Sequence, residues 1–449
     1  MAKRPVDMLT GPLFGNVLRY TIPIILSGLL QLLFNAADLV VVGQFCGGAS
    51  VGAVGATSSL VHLIVNLFIG LAVGVGVTVA QALGGNRETE IRLTVHTAIP
   101  VAFIGGLALT VVSYLLAPRL LVWMATPTEY LPLSTIYVQV YSLGMLPLMV
   151  YNFGAAILRA AGDTQSPLRY LTIAGVINIL LNVLFVTLFH MDVAGVALAT
   201  SLSQGVSAAL VLWALTRRTD ACRLEWRQMR ICSQPLLRIL RIGVPAGLQG
   251  SLFSASNVLI QSTVNGFGPA VVSGFAAGSS IEGFAYTVMN SFHQTAMNFT
   301  GQNVGAGQYT RVRQVMRVNL IWVGGIGLVC GGLLWAFARP LLGLYLPDSP
   351  EAITYGVLRL TFICLPYFLC GLMEVASGVV RGMGASVGPT LVTVLTVCVF
   401  RLAWIWWVFP YFGTPEALLS CYTISWVLNL LAQTAIYAGL LRRRLGGRR

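Results

Sequence analysis

Along this chain, apolar stretches long enough to cross a bilayer as helix, which takes about 20 residues, alternate with short polar or Gly/Pro breaks. The pattern predicts an all-α integral membrane fold with twelve transmembrane helices. The first six spans are expected at 16–42, 51–81, 93–117, 131–156, 169–190 and 193–215. The second six are expected at 237–262, 272–300, 317–338, 354–380, 389–411 and 416–441.

The two sets repeat one another. Leu18, Arg19, Pro23, Gly28 and Asn35 return as Leu240, Arg241, Pro245, Gly250 and Asn257, and Arg159, Gly162 and Pro167 return as Arg381, Gly384 and Pro389, all at one offset. Two similar halves of an apolar chain suggest two six-helix lobes related by a pseudo-two-fold axis, the layout of many secondary transporters. The expected organisation is an N-terminal lobe over 1–215, a basic cytoplasmic connector over 216–236 and a C-terminal lobe over 237–449.

Composition agrees with a membrane setting: 56% of the residues are hydrophobic, 9% are charged and the mean hydropathy is +0.81. Lys and Arg collect on one side of the predicted topology; the opposite loops hold only Arg119, Arg339 and Arg359, and Arg401 lies inside a span. Because cytoplasmic loops collect these residues, both termini are expected in the cytoplasm and the protein in the cell (inner or plasma) membrane. The same placement explains the net charge of +13 without a nucleic-acid partner. Pro5, Asp7 and Pro12 interrupt the N-terminus, so no cleavable signal peptide is expected. The eight cysteines are scattered without CxxC pairing and read as structural.

Ionisable residues inside apolar spans need a reason, since a mid-bilayer charge costs about 2.5–3.5 kcal/mol on insertion scales. Asp38 lies in the first span with Gln31, Phe34 and Asn35 at helical spacings before it. A carboxyl there is a candidate for proton exchange, or it simply hydrogen-bonds neighbouring helices; Pro23 in the same helix is a candidate hinge. Asn178 and Asn182 sit one turn apart in the fifth span, and Thr200, Gln204 and Ser207 share a face of the sixth. These line a polar pocket with Asp38 or hold helices together.

In the second half, Glu282, Tyr286, Asn290 and His293 share one face of the eighth span. They suit a cationic guest, or Glu282 and His293 keep helices in register. Tyr367, Cys370, Glu374, Ser377 and Arg381 form a stripe on the tenth span, while Arg401 lies beside Trp404, Trp406 and Trp407 on the eleventh. Glu374 and Arg401 are expected to pair or to meet substrate. His62 reads as a packed polar residue, and Gly70, Gly74 and Gly76 as a close helix-packing signal. With no Walker motif, no metal-ligand spacing and no clustered nucleophile and base, neither an ATP-driven pump nor an enzyme is expected. Transport energy would then come from an ion gradient, H+ or Na+, with no cofactor.

Several segments carry a family resemblance. They are the Pro23 to Asp38 first helix, Ala80-Gln81-Ala82-Leu83-Gly84-Gly85-Asn86 and Leu158-Arg159-Ala160-Ala161-Gly162-Asp163. Gly301-Gln302-Asn303-Val304-Gly305-Ala306-Gly307 and Val380-Arg381-Gly382-Met383-Gly384 hold the equivalent places in the second half. In this order they resemble a multidrug and toxic compound extrusion (MATE) transporter over essentially the whole chain. The resemblance implies export of organic cations and other amphipathic compounds in exchange for protons or sodium, by alternating access between two lobes, in a protein able to work as a monomer. It implies coupling at Asp38, with Asn178 in the same pocket and Glu374 as a candidate match to the sodium-coupled branch's tenth-helix acid. The polar stripes of the spans themselves add Asn35 and Asn182 to the coupling site, a hinge at Pro23, and substrate contacts at Gln31, Glu282, Tyr286, His293, Glu374 and Arg401. The family's proton-coupled pattern often has an acid where this chain has Asn182, and the seventh-helix acid of the sodium-coupled branch is missing. A lipid or lipid-linked precursor flippase on a related fold is the alternative, expected to carry several cationic cavity residues.

Overall fold

The computed structural model describes residues 5–124, 126–347 and 349–446, apart from the side chains of nine residues between 48 and 67, His62 among them. The described residues are helical, with no strand. The helices are α1 (Leu13–Phe45), α2 (Gly48–Gly84), α3 (Glu88–Trp123), α4 (Leu131–Ser142), α5 (Met145–Ala160), α6 (Gln165–Val183) and α7 (Asp192–Thr216). They continue as α8 (Ser233–Asn265), α9 (Pro269–Gly305), α10 (Tyr309–Ala336), α11 (Ala338–Tyr345), α12 (Pro350–Cys364), α13 (Tyr367–Gly382), α14 (Val387–Thr393), α15 (Phe400–Ala403), α16 (Phe409–Phe412) and α17 (Pro415–Gly446). Among the described residues, seven helical segments are long and apolar enough to cross a membrane, and nine when each of two bent pairs is taken as one span. Large apolar side chains such as Leu115, Leu180 and Leu395 point outward, as a lipid solvent allows.

The two bent pairs lie at repeat-related places. α4 meets α5 at 45° and α12 meets α13 at 42°. Pro147 follows the first break and Pro366 stands in the second, and a proline ring withholds the N–H that would continue the helix. Gly162 and Gly384, also repeat partners, both take positive φ, 86° and 87°, at the turns after α5 and α13.

Contacts divide the chain into two compact units, one of Met1–Val6 and Ile22–Gly247, the other of Asp7–Thr21 and Leu248–Arg449. The connector over 216–236 falls in the first unit, and α1 and α8 are each shared, with their divisions within two residues of Pro23 and Pro245. In the first unit, Gly70 and Gly74 let α2 meet α8 backbone to backbone, since a Cβ on Gly74 would come within 2.3 Å of the Ile239 carbonyl oxygen. In the second unit, Thr21 and Thr295 share a hydrogen bond of 2.8 Å and Tyr20 meets Phe299 edge-on.

Candidate functional site

In the first unit, α1, α6 and α7 converge on Asp38. The contact is close because Gly175 of α6 has no side chain: a Cβ there would overlap the Phe34 ring, one turn before Asp38. Asn182 donates from Nδ2 to Asp38 Oδ1 and, at 3.3 Å, to Asn178 Oδ1. Asn178 Nδ2 donates to Thr200 Oγ1 at 3.2 Å. Thr200 Oγ1 lies 3.3 Å from Asp38 Oδ2 and 3.0 Å from the Val196 carbonyl oxygen.

A hydroxyl has one hydrogen to give, so Thr200 serves either Asp38 or Val196 at any moment. The carboxylate accepts from Asn182 and Thr200, and the Val196 carbonyl stands as a second acceptor for the Thr200 hydrogen. Asn182 Oδ1 is buried without a hydrogen-bond partner. Turning that amide end for end would offer Asp38 an acceptor instead of a donor. Immediately beyond Asn182 and Val183 the helix widens into a π-helical turn, Leu184–Leu188, a feature common at functional positions.

Other residues expected near Asp38 are placed apart from this chain of bonds. Gln31 and Asn35 occupy exposed positions of α1, while Ser207 bonds locally to the carbonyl of Gln204. α1 runs unbroken through Pro23, whose carbonyl accepts from Ser27 at 2.8 Å.

The second unit holds an open-mouthed cavity of about 250 Å³ lined by Glu282, Tyr286, Arg359, Tyr367, Glu374 and Arg401 together with aromatic and polar neighbours. Its charges pair differently from the expectation. Glu374 meets His293, with Nδ1 3.0 Å from Glu374 Oε2 and 2.9 Å from the Glu374 carbonyl oxygen. His293 Nε2 faces Arg381 Nη1 at 3.5 Å. An arginine only donates, so Nε2 is the acceptor and Nδ1 carries the hydrogen that Glu374 receives. Glycines explain the choice of partner: Cβ atoms on Gly378 and Gly382 would each lie 2.5 Å from a backbone oxygen of α9, at His293 and Met297. This stripe presses α13 onto α9 and turns Glu374 toward His293, not toward Arg401.

Arg401 instead donates from Nε to Ser425 Oγ at 3.1 Å, with its guanidinium 4.1 Å from the centre of the Tyr422 ring. It stands in α15, between π-helical stretches at Val394–Val399 and Trp404–Val408. Glu282 does not bond His293; it accepts from Arg359 Nη2 at 2.8 Å. Arg359, placed by sequence with the loop cations, is buried in α12. Its signal was an arginine inside the apolar run from Val357 to Cys364. Among the described residues, no three or more His, Cys, Asp or Glu side chains gather as a metal site.

The MatE family model matches residues 23–184 and 245–407. The chain is 30% identical over 398 residues to the probable multidrug resistance protein YpnP of Bacillus subtilis, covering 86% of this chain and 87% of that one. It is 25% identical over 359 residues to a protein of Shewanella oneidensis named as an FAD transporter, covering 78% and 77% respectively. A crystal structure of the Vibrio cholerae MATE transporter VcmN in the bent form superposes with a TM-score of 0.88 at 24% identity, over 96% of this chain and 98% of that chain.

Proposed function

This chain belongs to the MatE family of multidrug efflux transporters, and from that premise we propose that it is a proton-coupled antiporter in which Asp38 carries the proton. The carrying observation is a carboxyl in an apolar unit held by two donors, Asn182 and Thr200, one of which has a second acceptor ready. Protonation removes the charge that those donors answer, so α1 relaxes about Pro23 and access alternates between the two sides of the membrane. Drug and proton then compete energetically, as coupling requires. The exported compounds are amphipathic small molecules, organic cations among them, received by the aromatic walls around Tyr286 and Tyr367. Sodium is the alternative ion, with Glu374 as its acid.

The flippase reading draws support from a second buried arginine, since Arg359 joins Arg401 at the cavity. Glu282 neutralises Arg359, however, which leaves one cation where several would be needed for lipid phosphates.

The test is efflux of a fluorescent lipophilic cation from proteoliposomes under separate proton and sodium gradients, with wild type beside Asp38→Asn and Glu374→Gln. Proton-driven efflux that disappears in Asp38→Asn is the expected result; efflux that survives in it sinks the proposal. Sodium-driven efflux lost in Glu374→Gln moves coupling to the second unit. Absence of any gradient-driven efflux favours the flippase.

A further inference from the structure

Charge accounting among the buried groups around the second unit's cavity leaves one cation over. Glu282 is answered by Arg359, and Glu374 by His293 with Arg381 behind it. Among the described residues, no carboxylate lies within ion-pair distance of Arg401, which is fully buried. Its Nη1 and Nη2 have no hydrogen-bond partner among the described residues. The ring of Tyr422 covers the guanidinium at 4.1 Å and that of Phe253 lies at 5.8 Å. Aromatic faces return part of the cost of desolvating the charge. They offer nothing to the in-plane N–H groups, which form a fork matched to a planar oxyanion. A guanidinium cannot escape this cost by losing its proton.

We propose that Arg401 is an oxyanion subsite, whose Nη groups receive the carboxylate or phosphate of an aromatic amphiphile held in the second unit's cavity. The inference rests on the transport reading and names a substrate class for it. The cavity walls include Phe253, Tyr367, Tyr422 and Trp426, which suit a flat apolar body. Its volume, about 250 Å³, is small for a ligand pocket and accommodates a body of one or two rings. Both acids of the cavity already have partners, so the group left for a ligand to complete is the cation.

The test uses the purified full chain and four naphthalene-sized probes: 2-naphthoate, 2-naphthyl phosphate, the uncharged methyl ester of 2-naphthoate, and N-methylquinolinium. Binding is measured by equilibrium dialysis for wild type, Arg401→Gln and Arg401→Lys. Wild type should bind one or both oxyanions at least about tenfold more tightly than the ester, as expected for a charge-assisted contact. Whichever oxyanion binds more tightly identifies the group. Arg401→Gln should erase that ratio, with Arg401→Lys keeping part of it because the charge stays and the fork goes. Equal binding of oxyanions and ester by wild type overturns the subsite, and this needs no variant to fold; so does a ratio that Arg401→Gln leaves intact. Proton-driven efflux of N-methylquinolinium separates the two layers. If it persists while the oxyanions show no preference, the subsite falls and the transport reading stands. If none of the four probes moves under any gradient, the transport reading falls by itself.

Discussion

Arg359 on α12 donates to Glu282 on α9 at 2.8 Å, joining residues 77 positions apart inside an apolar unit. The arginine also lies 5.6 Å from the centre of the Phe275 ring. Both charges have left water, so either one alone is a liability. Arg359→Met should destabilise the protein by about 3–5 kcal/mol. The double variant Arg359→Met with Glu282→Gln should recover most of that loss. Thermal unfolding in detergent checks this, and a double variant no more stable than the single one would show that the pair is not the reason for the loss.

Asn182→Leu removes a donor to Asp38 and also the bond to Asn178, while leaving Thr200 in place. Removing one hydrogen bond to a charged group costs about 1.5–3 kcal/mol, so proton-driven efflux should fall roughly tenfold or more. Substrate binding at saturating drug should change little. A variant with full efflux would mean that Asn182 only packs.

Gly74→Val should prevent or severely weaken assembly of the first unit, because the new Cβ meets backbone at Ile239 and Gly243 and no side chain can move aside. A loss of at least about 3 kcal/mol is expected for such overpacking. Gly205→Ala is the control: nothing lies within 4 Å of its Cβ position, so it should gain about 0.5–1 kcal/mol from helix propensity. Fluorescence-detected melting of the two variants would settle the contrast.

The connector carries its own clasp. Asp220 accepts from both Arg218 and the Cys222 backbone N–H. Burial pushes the Asp220 carboxyl up, but the Arg218 bonds and charge outweigh it and hold it below the ordinary carboxylate range. A carboxylate lowered on folding adds stability at neutral pH that is lost as pH falls through its folded value. Burial, reinforced by Asp220, raises the Cys222 thiol to about 12. Labelling of Cys222 by a dipyridyl disulfide, which reacts at acid pH, should therefore be slow at pH 7 and speed up below pH 4. Asp220→Asn should speed it roughly threefold at pH 7 and flatten the acid response, a small effect because the Asp220 side chain is 45% exposed. Equal rates in both proteins would remove the clasp from the account.

The parts of the site legible in sequence were those set by spacing along one helix. Asn178 and Asn182 share a face, and Asp38 stands out as an acid in an apolar span, so spacing and composition alone single them out. What escaped was the choice of partner across helices. Arg359 reads as a loop charge in the sequence because the sidedness of arginines carries no information about an acid 77 positions away. Glu374 was matched to Arg401 on charge alone, whereas the glycine stripe of α13 decides which helix it touches. Similarly, the bends at α4–α5 and α12–α13 interrupt apolar runs whose composition continues smoothly across them.

The way contacts divide the chain has a consequence for its biosynthesis. The first unit takes in α8 as far as Gly247, against which Gly70 packs. The second takes in Asp7–Thr21, a segment that includes the first residues of α1. Folding cannot follow the order of translation half by half: the first unit stays open until the ribosome has passed Gly247, and the opening residues of α1 wait through most of synthesis for the helices they join.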